Sequence, residues 1–131
     1  MSNSRIFIVM TLIIGMVTVF AGCYKVTTVD LSSGSVLNRT VTFSGDVLPI
    51  FQRSCALSGC HAPGGQVPDL SPDRAYGSLL QEDLINFDDP ANSELYDWLS
   101  GKIQPAMPLG GSDPDINAVM LTWLTQGAQN N

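Results

Sequence analysis

Seven residues, Cys55-Ala-Leu-Ser-Gly-Cys60-His61, constrain this chain more than any other feature. They bring two thiols and the only imidazole of a 131-residue sequence into one short stretch. Several chemistries use such a set. Neighbouring cysteines in an exported chain commonly join as a disulfide, and the histidine would then be incidental. A structural zinc ion needs four ligands, usually Cys or His, so a carboxylate would have to complete the set here. A thiol oxidoreductase would carry C-x-x-C beside a βαβ unit, and this sequence offers neither.

The remaining chemistry is covalent attachment of a haem. Two thiols must reach two vinyl groups on one porphyrin edge, and an imidazole must follow the second thiol directly so that its ring turns under the iron. The usual spacing is C-x-x-C-H. Here four residues separate the thiols, and Gly59 gives the longer loop its freedom to turn. A second axial ligand is expected downstream. Met120 falls on an apolar helix face, where core packing explains it. Met107 lies instead in Gln104-Pro105-Ala106-Met107-Pro108-Leu109-Gly110-Gly111, a loop stiffened by prolines. A thioether is soft and neutral, and His/Met ligation raises a haem potential.

The N-terminus reads as an export signal. Arg5 is followed by the uncharged, apolar run Ile6–Phe20, a pattern of signal peptides. The run is somewhat short for a spanning helix, which needs roughly 17–25 apolar residues. Ala21-Gly22-Cys23 resembles the lipobox of bacterial lipoproteins, with Phe20 where that pattern usually has Leu, Val or Ile. The resemblance implies cleavage before Cys23, a lipid on its sulfur, and residence on the periplasmic side of a bacterial membrane. Tyr24 rather than an acidic residue follows the cysteine, which slightly favours the outer membrane. Without Arg5 the mature chain has five basic and twelve acidic residues. That balance argues against nucleic acid, whose phosphates call for Lys and Arg, and suits a partner with a basic docking patch.

The expected organisation is therefore a signal peptide over 1–22, a lipid-anchored tether over 23–43, and a domain over 44–131. The Thr-, Ser- and Val-rich tether has no helical period, ends in a short strand at Thr40–Phe43, and could span on the order of 70 Å. The domain is expected to be all-α with about four short helices. Asp46 caps the first, with Pro49 in its first turn and Val47, Ile50, Phe51 and Ser54 on one face. Ser71-Pro72 starts the second, Asn92-Ser93 the third with Gly101 as its stop, and Asp113-Pro114 the last. In the last helix Ile116, Val119, Met120, Trp123 and Leu124 follow the helical repeat, and Gly127 ends it. Two long Gly/Pro-rich connections, His61–Ser71 and Lys102–Asp113, suggest that something fills the middle of so small a core.

In this order the elements resemble class I cytochromes c, and among them the small bacterial planctomycete-type cytochrome c domain, over Phe43–Ala128. Asp46-Val47-Leu48-Pro49-Ile50-Phe51 is similar to the family's first helix. Cys55, Cys60 and His61 match its attachment site, Met107-Pro108 its distal methionine loop, and Ile116–Ala128 its closing helix. The resemblance implies a small cytochrome c fold wrapped around one covalent haem c, with His61 and Met107 as iron ligands. It implies that the Pro68 carbonyl meets the other imidazole nitrogen and that Leu70 packs on the porphyrin. Phe51 and Trp123 would meet where the first and last helices cross, and Trp98 and Tyr96 would line the haem or a propionate. Tyr76 reads better as core. The implied role is electron transfer with redox partner proteins, without catalysis or a small-molecule substrate. Two alternatives remain: a haem enzyme or sensor with an open iron position, and a haem-bearing subunit of a larger membrane complex.

Overall fold

The computed structural model describes residues 35–131. The expected signal peptide, Cys23 and the first part of the expected tether lie outside the described residues. The described chain is all-α. Four α-helices are joined by long irregular connections, with no strand among the described residues. Helix α1 spans Leu48–Ser54, α2 Ala75–Gln81, α3 Glu94–Ser100 and α4 Pro114–Thr125. A π-helical turn, Phe43–Val47, leads into α1, and a 3₁₀ turn, Pro90–Asn92, precedes α3.

Each start has a local cause. Asp113 extends its side chain over the first turn of α4, accepting from the N–H groups of Asp115 and Ile116 at 2.9 and 3.2 Å. Pro114 follows, where its missing N–H costs nothing. Ser93 caps α3 through its extended backbone, and left-handed Gly101 closes it. Ser93 Oγ is used differently, accepting from Asn86 N at 3.0 Å. At the first helix the expected cap is corrected. Thr42, not Asp46, is the N-cap, and it caps the π-helical turn that leads into α1, its Oγ1 accepting from Gly45 N at 3.2 Å. Asp46 reaches back to accept from Thr42 N at 2.8 Å, so the pair caps reciprocally. Arg39 adds an ion pair to Asp46 at 2.9 Å. These hydrogen bonds from Arg39 and Thr42 hold the Asp46 carboxyl below its ordinary range. At Ser71-Pro72 the chain first makes a turn, with Ala75 N donating to Ser71 O at 2.8 Å, and α2 begins only at Ala75.

Residues 37–43 form neither a strand nor a free tether. They lie as an extended strap along α4 and the C-terminal residues. Leu37 N donates to Thr122 Oγ1 (2.6 Å), Val41 N to Gln126 Oε1 (2.9 Å) and Phe43 N to Asn131 Oδ1 (2.9 Å). Gln126 Nε2 donates in turn to Arg39 O at 2.8 Å. Val41 and Phe43 are buried. The folded unit thus reaches further toward the N-terminus than the expected boundary at Ser44. The reason is that these backbone groups, lacking a sheet, find carboxamide and hydroxyl partners instead.

Phe43 is also the hub of an aromatic cluster. Its ring centroid lies 5.4 Å from Tyr76, 5.5 Å from Trp123 and 6.3 Å from Phe51. Phe43 therefore links Phe51 and Trp123, the pair expected to mark the crossing of the first and last helices. Trp123 anchors its indole N–H on Gln129 O at 3.0 Å. One buried cluster runs from the strap through α1 and α4 to Cys55, Leu70, Leu79, Leu95, Tyr96 and Met120.

Candidate functional site

The site begins where α1 ends. Cys55 N still donates to Phe51 O at 2.9 Å, so the first thiol is placed by the last turn of a helix whose Phe51 is core. The chain then loops out through Leu57 and Gly59, with Gly59 at φ 81°, a left-handed value that a side chain would resist. It returns so that His61 N donates to Cys55 O at 3.2 Å. Cys55 is buried and Cys60 half-buried, and both are free thiols. Burial, with Cys60 nearby, pushes the Cys55 thiol up from 9.0 to about 11.

His61 is tied on three sides. Besides its own N–H, its carbonyl accepts from Leu70 N at 2.8 Å, and its ring Nδ1 lies 3.0 Å from Pro68 O. A carbonyl only accepts, so a proton resides on Nδ1, and in the neutral imidazole Nε2 is then the nitrogen that carries the lone pair. The Pro68–Leu70 stretch is itself braced from α2. Asp69 N donates to Ser78 Oγ at 2.8 Å, and the Asp69 carboxylate accepts from Ser71 N at 3.0 Å. The hydrogen bonds from Ser71 hold the Asp69 carboxyl below its usual range. Leu70 is buried in the main core.

Gly65 closes the loop. Gln66 N donates to Cys60 O at 2.7 Å, and a Cβ on Gly65 would collide with that same carbonyl. Only glycine fits there, a role that a reading of Pro/Gly-rich loops does not single out.

Met107 is half-buried against the core cluster that contains Cys55 and Leu70. Its N–H donates to Trp98 O, in the last turn of α3, at 2.9 Å. Met120 is wholly buried in α4, as core. Tyr96 is buried in the core, and Trp98 is half-buried with its indole N–H donating to Glu94 Oε1 at 3.2 Å. Two of the cations have local partners. Arg53 Nε donates to Pro49 O at 3.2 Å, and Lys102 pairs with Asp97 at 2.8 Å.

Cys55, Cys60 and His61 thus share one tightly hydrogen-bonded loop, with Pro68 and Leu70 bonded to the histidine. Cys23 lies outside the described residues. Among the described residues no three or more His, Cys, Asp or Glu side chains converge as they would around a metal ion. A cavity of about 300 Å³ lies elsewhere, between the strap and α4, lined by Thr40, Val41, Trp123, Gln126, Gln129 and Asn131. Comparison with protein families, with curated proteins and with solved structures gives no match to this chain.

Proposed function

We propose that the chain is an electron-transfer protein of the c-type cytochrome kind. One haem would be joined to Cys55 and Cys60 by thioethers, and His61 Nε2 and the Met107 sulfur would hold its iron. The observation that carries this reading is the His61–Pro68 hydrogen bond beside two free thiols. It leaves one imidazole nitrogen with a lone pair and a fixed direction, as a metal-ligating histidine needs.

The donor set fits the group. Two thiols and an imidazole lie in one loop, and a thioether packs against the same core. Three of the six large hydrophobic side chains exposed among the described residues support the fit, because each lies on a segment that would border the ring. They are Leu57 in the cysteine loop, Val67 beside Pro68, and Leu109 beside Met107–Pro108. A flat apolar macrocycle would give such side chains something to cover.

The haem would supply reversible one-electron exchange at its iron. The residues supply the rest. The Pro68 carbonyl keeps the proton on Nδ1, which orients the ring and makes Nε2 more basic. The Met107 thioether, neutral and soft, favours the reduced state. Leu70 and the surrounding core keep water from the site. The acidic surface steers a basic partner protein toward the chain, an attraction that salt weakens. A lipid on Cys23 would hold the protein at the periplasmic face of a bacterial membrane.

The test is expression with a haem-attachment system. The denatured polypeptide should stain for haem, and the native protein should show a thioether-to-iron absorption band. Met107→Ala should lose that band and retain the stain. A colourless mature chain with Cys55 and Cys60 joined to each other would overturn the proposal.

A further inference from the structure

The C-terminal carbonyls of a helix have no partner within it. At the end of α3 they are met by a single loop and one buried side chain. Asp97 O accepts from Ile103 N at 3.1 Å, and Trp98 O from Met107 N at 2.9 Å. Gly101 O accepts from Gln104 Nε2 at 2.8 Å, and Gln104 Oε1 accepts from Ala106 N at 3.3 Å. The entry half of the methionine loop is therefore wound onto the helix end.

Leu99 O has a different partner. Asn117, on α4, is only 4% exposed. Its amide nitrogen donates to Leu99 O at 3.1 Å and to Asp113 O at 3.3 Å, and its amide oxygen accepts from Ser112 Oγ at 2.8 Å, the orientation in which every atom meets a complementary group. One carboxamide thus joins the end of α3, the exit of the methionine loop at Ser112, and the start of α4. A polar residue buried on the core side of an apolar helix requires such a set of partners.

We infer that Asn117 is the positioning residue for Met107. It locks the loop's exit to the same helix end that holds the loop's entry, so the thioether is aimed by the packing of α3 on α4. Its consequence at iron rests on the axial-ligand reading above, while its effect on the loop does not.

The test uses the full mature protein and two readouts. The first is amide hydrogen exchange at Met107, compared with Val41 and Phe43 on the strap. The second is displacement of the sixth iron ligand by added imidazole in the ferric protein. Asn117→Ala leaves Leu99 O and Ser112 unpaired, so Met107 exchange should rise at least about tenfold while the strap amides keep their protection. Asn117→Asp, which keeps the acceptor for Ser112 but lacks the donors, should loosen Met107 as well. Thr122→Val, on the same helix but facing the strap, should give the reverse pattern. Imidazole should bind the Asn117 variants about tenfold more tightly than wild type.

Unchanged Met107 exchange in Asn117→Ala, or an equal rise at Met107 and the strap, would overturn the inference. Selective loosening of Met107 in a protein whose wild type lacks the thioether band would uphold the positioning role. That outcome would remove only the axial-ligand reading.

Discussion

Replacing Phe43 with alanine tests whether the strap belongs to the cooperative unit. Phe43 is 4% exposed, and its ring meets Tyr76, Trp123 and Phe51 at centroid distances of 5.4, 5.5 and 6.3 Å. Truncating a buried phenylalanine costs about 3–5 kcal/mol, part of it from the cavity left behind. Aromatic contacts of this kind contribute about 0.5–1.5 kcal/mol each beyond area, which places Phe43 toward the upper part of that range. A small domain has only about 5–15 kcal/mol in total, so the loss is a large share. With a urea m-value of about 1–3 kcal/mol/M, the unfolding midpoint should fall by about 2 M. The assay is urea titration followed by far-ultraviolet circular dichroism. Phe87→Ala is the comparison, since Phe87 is 57% exposed and surface changes stay within about 0.5 kcal/mol. A Phe43→Ala midpoint indistinguishable from that of Phe87→Ala would refute the strap as part of the fold.

Asp113→Ala should destabilise by about 0.5–2 kcal/mol in the same titration, because two first-turn N–H groups lose their acceptor. Asp113→Asn, which keeps an acceptor oxygen, should lose less. In the folded haem-free chain Cys55 should react with iodoacetamide at pH 8 about a hundredfold more slowly than an ordinary thiol, since its pKa rises from 9.0 to about 11. The raised value also sets a stability window. The folded state keeps the proton, so this contribution, about 3 kcal/mol, is full below pH 9 and is lost as pH climbs to about 11. Urea midpoints of the haem-free chain between pH 8 and 11 measure it, and thioether formation at Cys55 should abolish it.

The helices differ in how openly the sequence announces them, and the difference is physical. Asp113-Pro114 and Ser93 with Gly101 carry start and stop signals within a few residues, and α3 and α4 lie where those signals put them. The cap at the first helix is less legible, because Thr42 and Asp46 both carry capping side chains and the π turn shifts the frame by one residue. The strap has no local signature. Its partners Thr122, Gln126 and Asn131 lie more than eighty residues away, and the alternating burial of Val41 and Phe43 mimics a strand. Within the site, the cysteines and the histidine are legible as a motif. Asn117 and Gly65 are not, since their roles come from contacts across the fold or from one close backbone approach. The remaining signal for Asn117 is a carboxamide at an otherwise apolar helical position.

The strap changes the mechanics of any lipid on Cys23. Because Thr122 catches the chain at Leu37, a lipid on Cys23 would be separated from that fixed point by residues 24–36 alone. Thirteen residues can span at most about 45 Å, against roughly 70 Å for a leash running to Phe43. The working radius of a chain anchored in this way above a bilayer would be shorter by about a third. Any electron donor or acceptor would have to come within that distance, or carry its own means of reaching down.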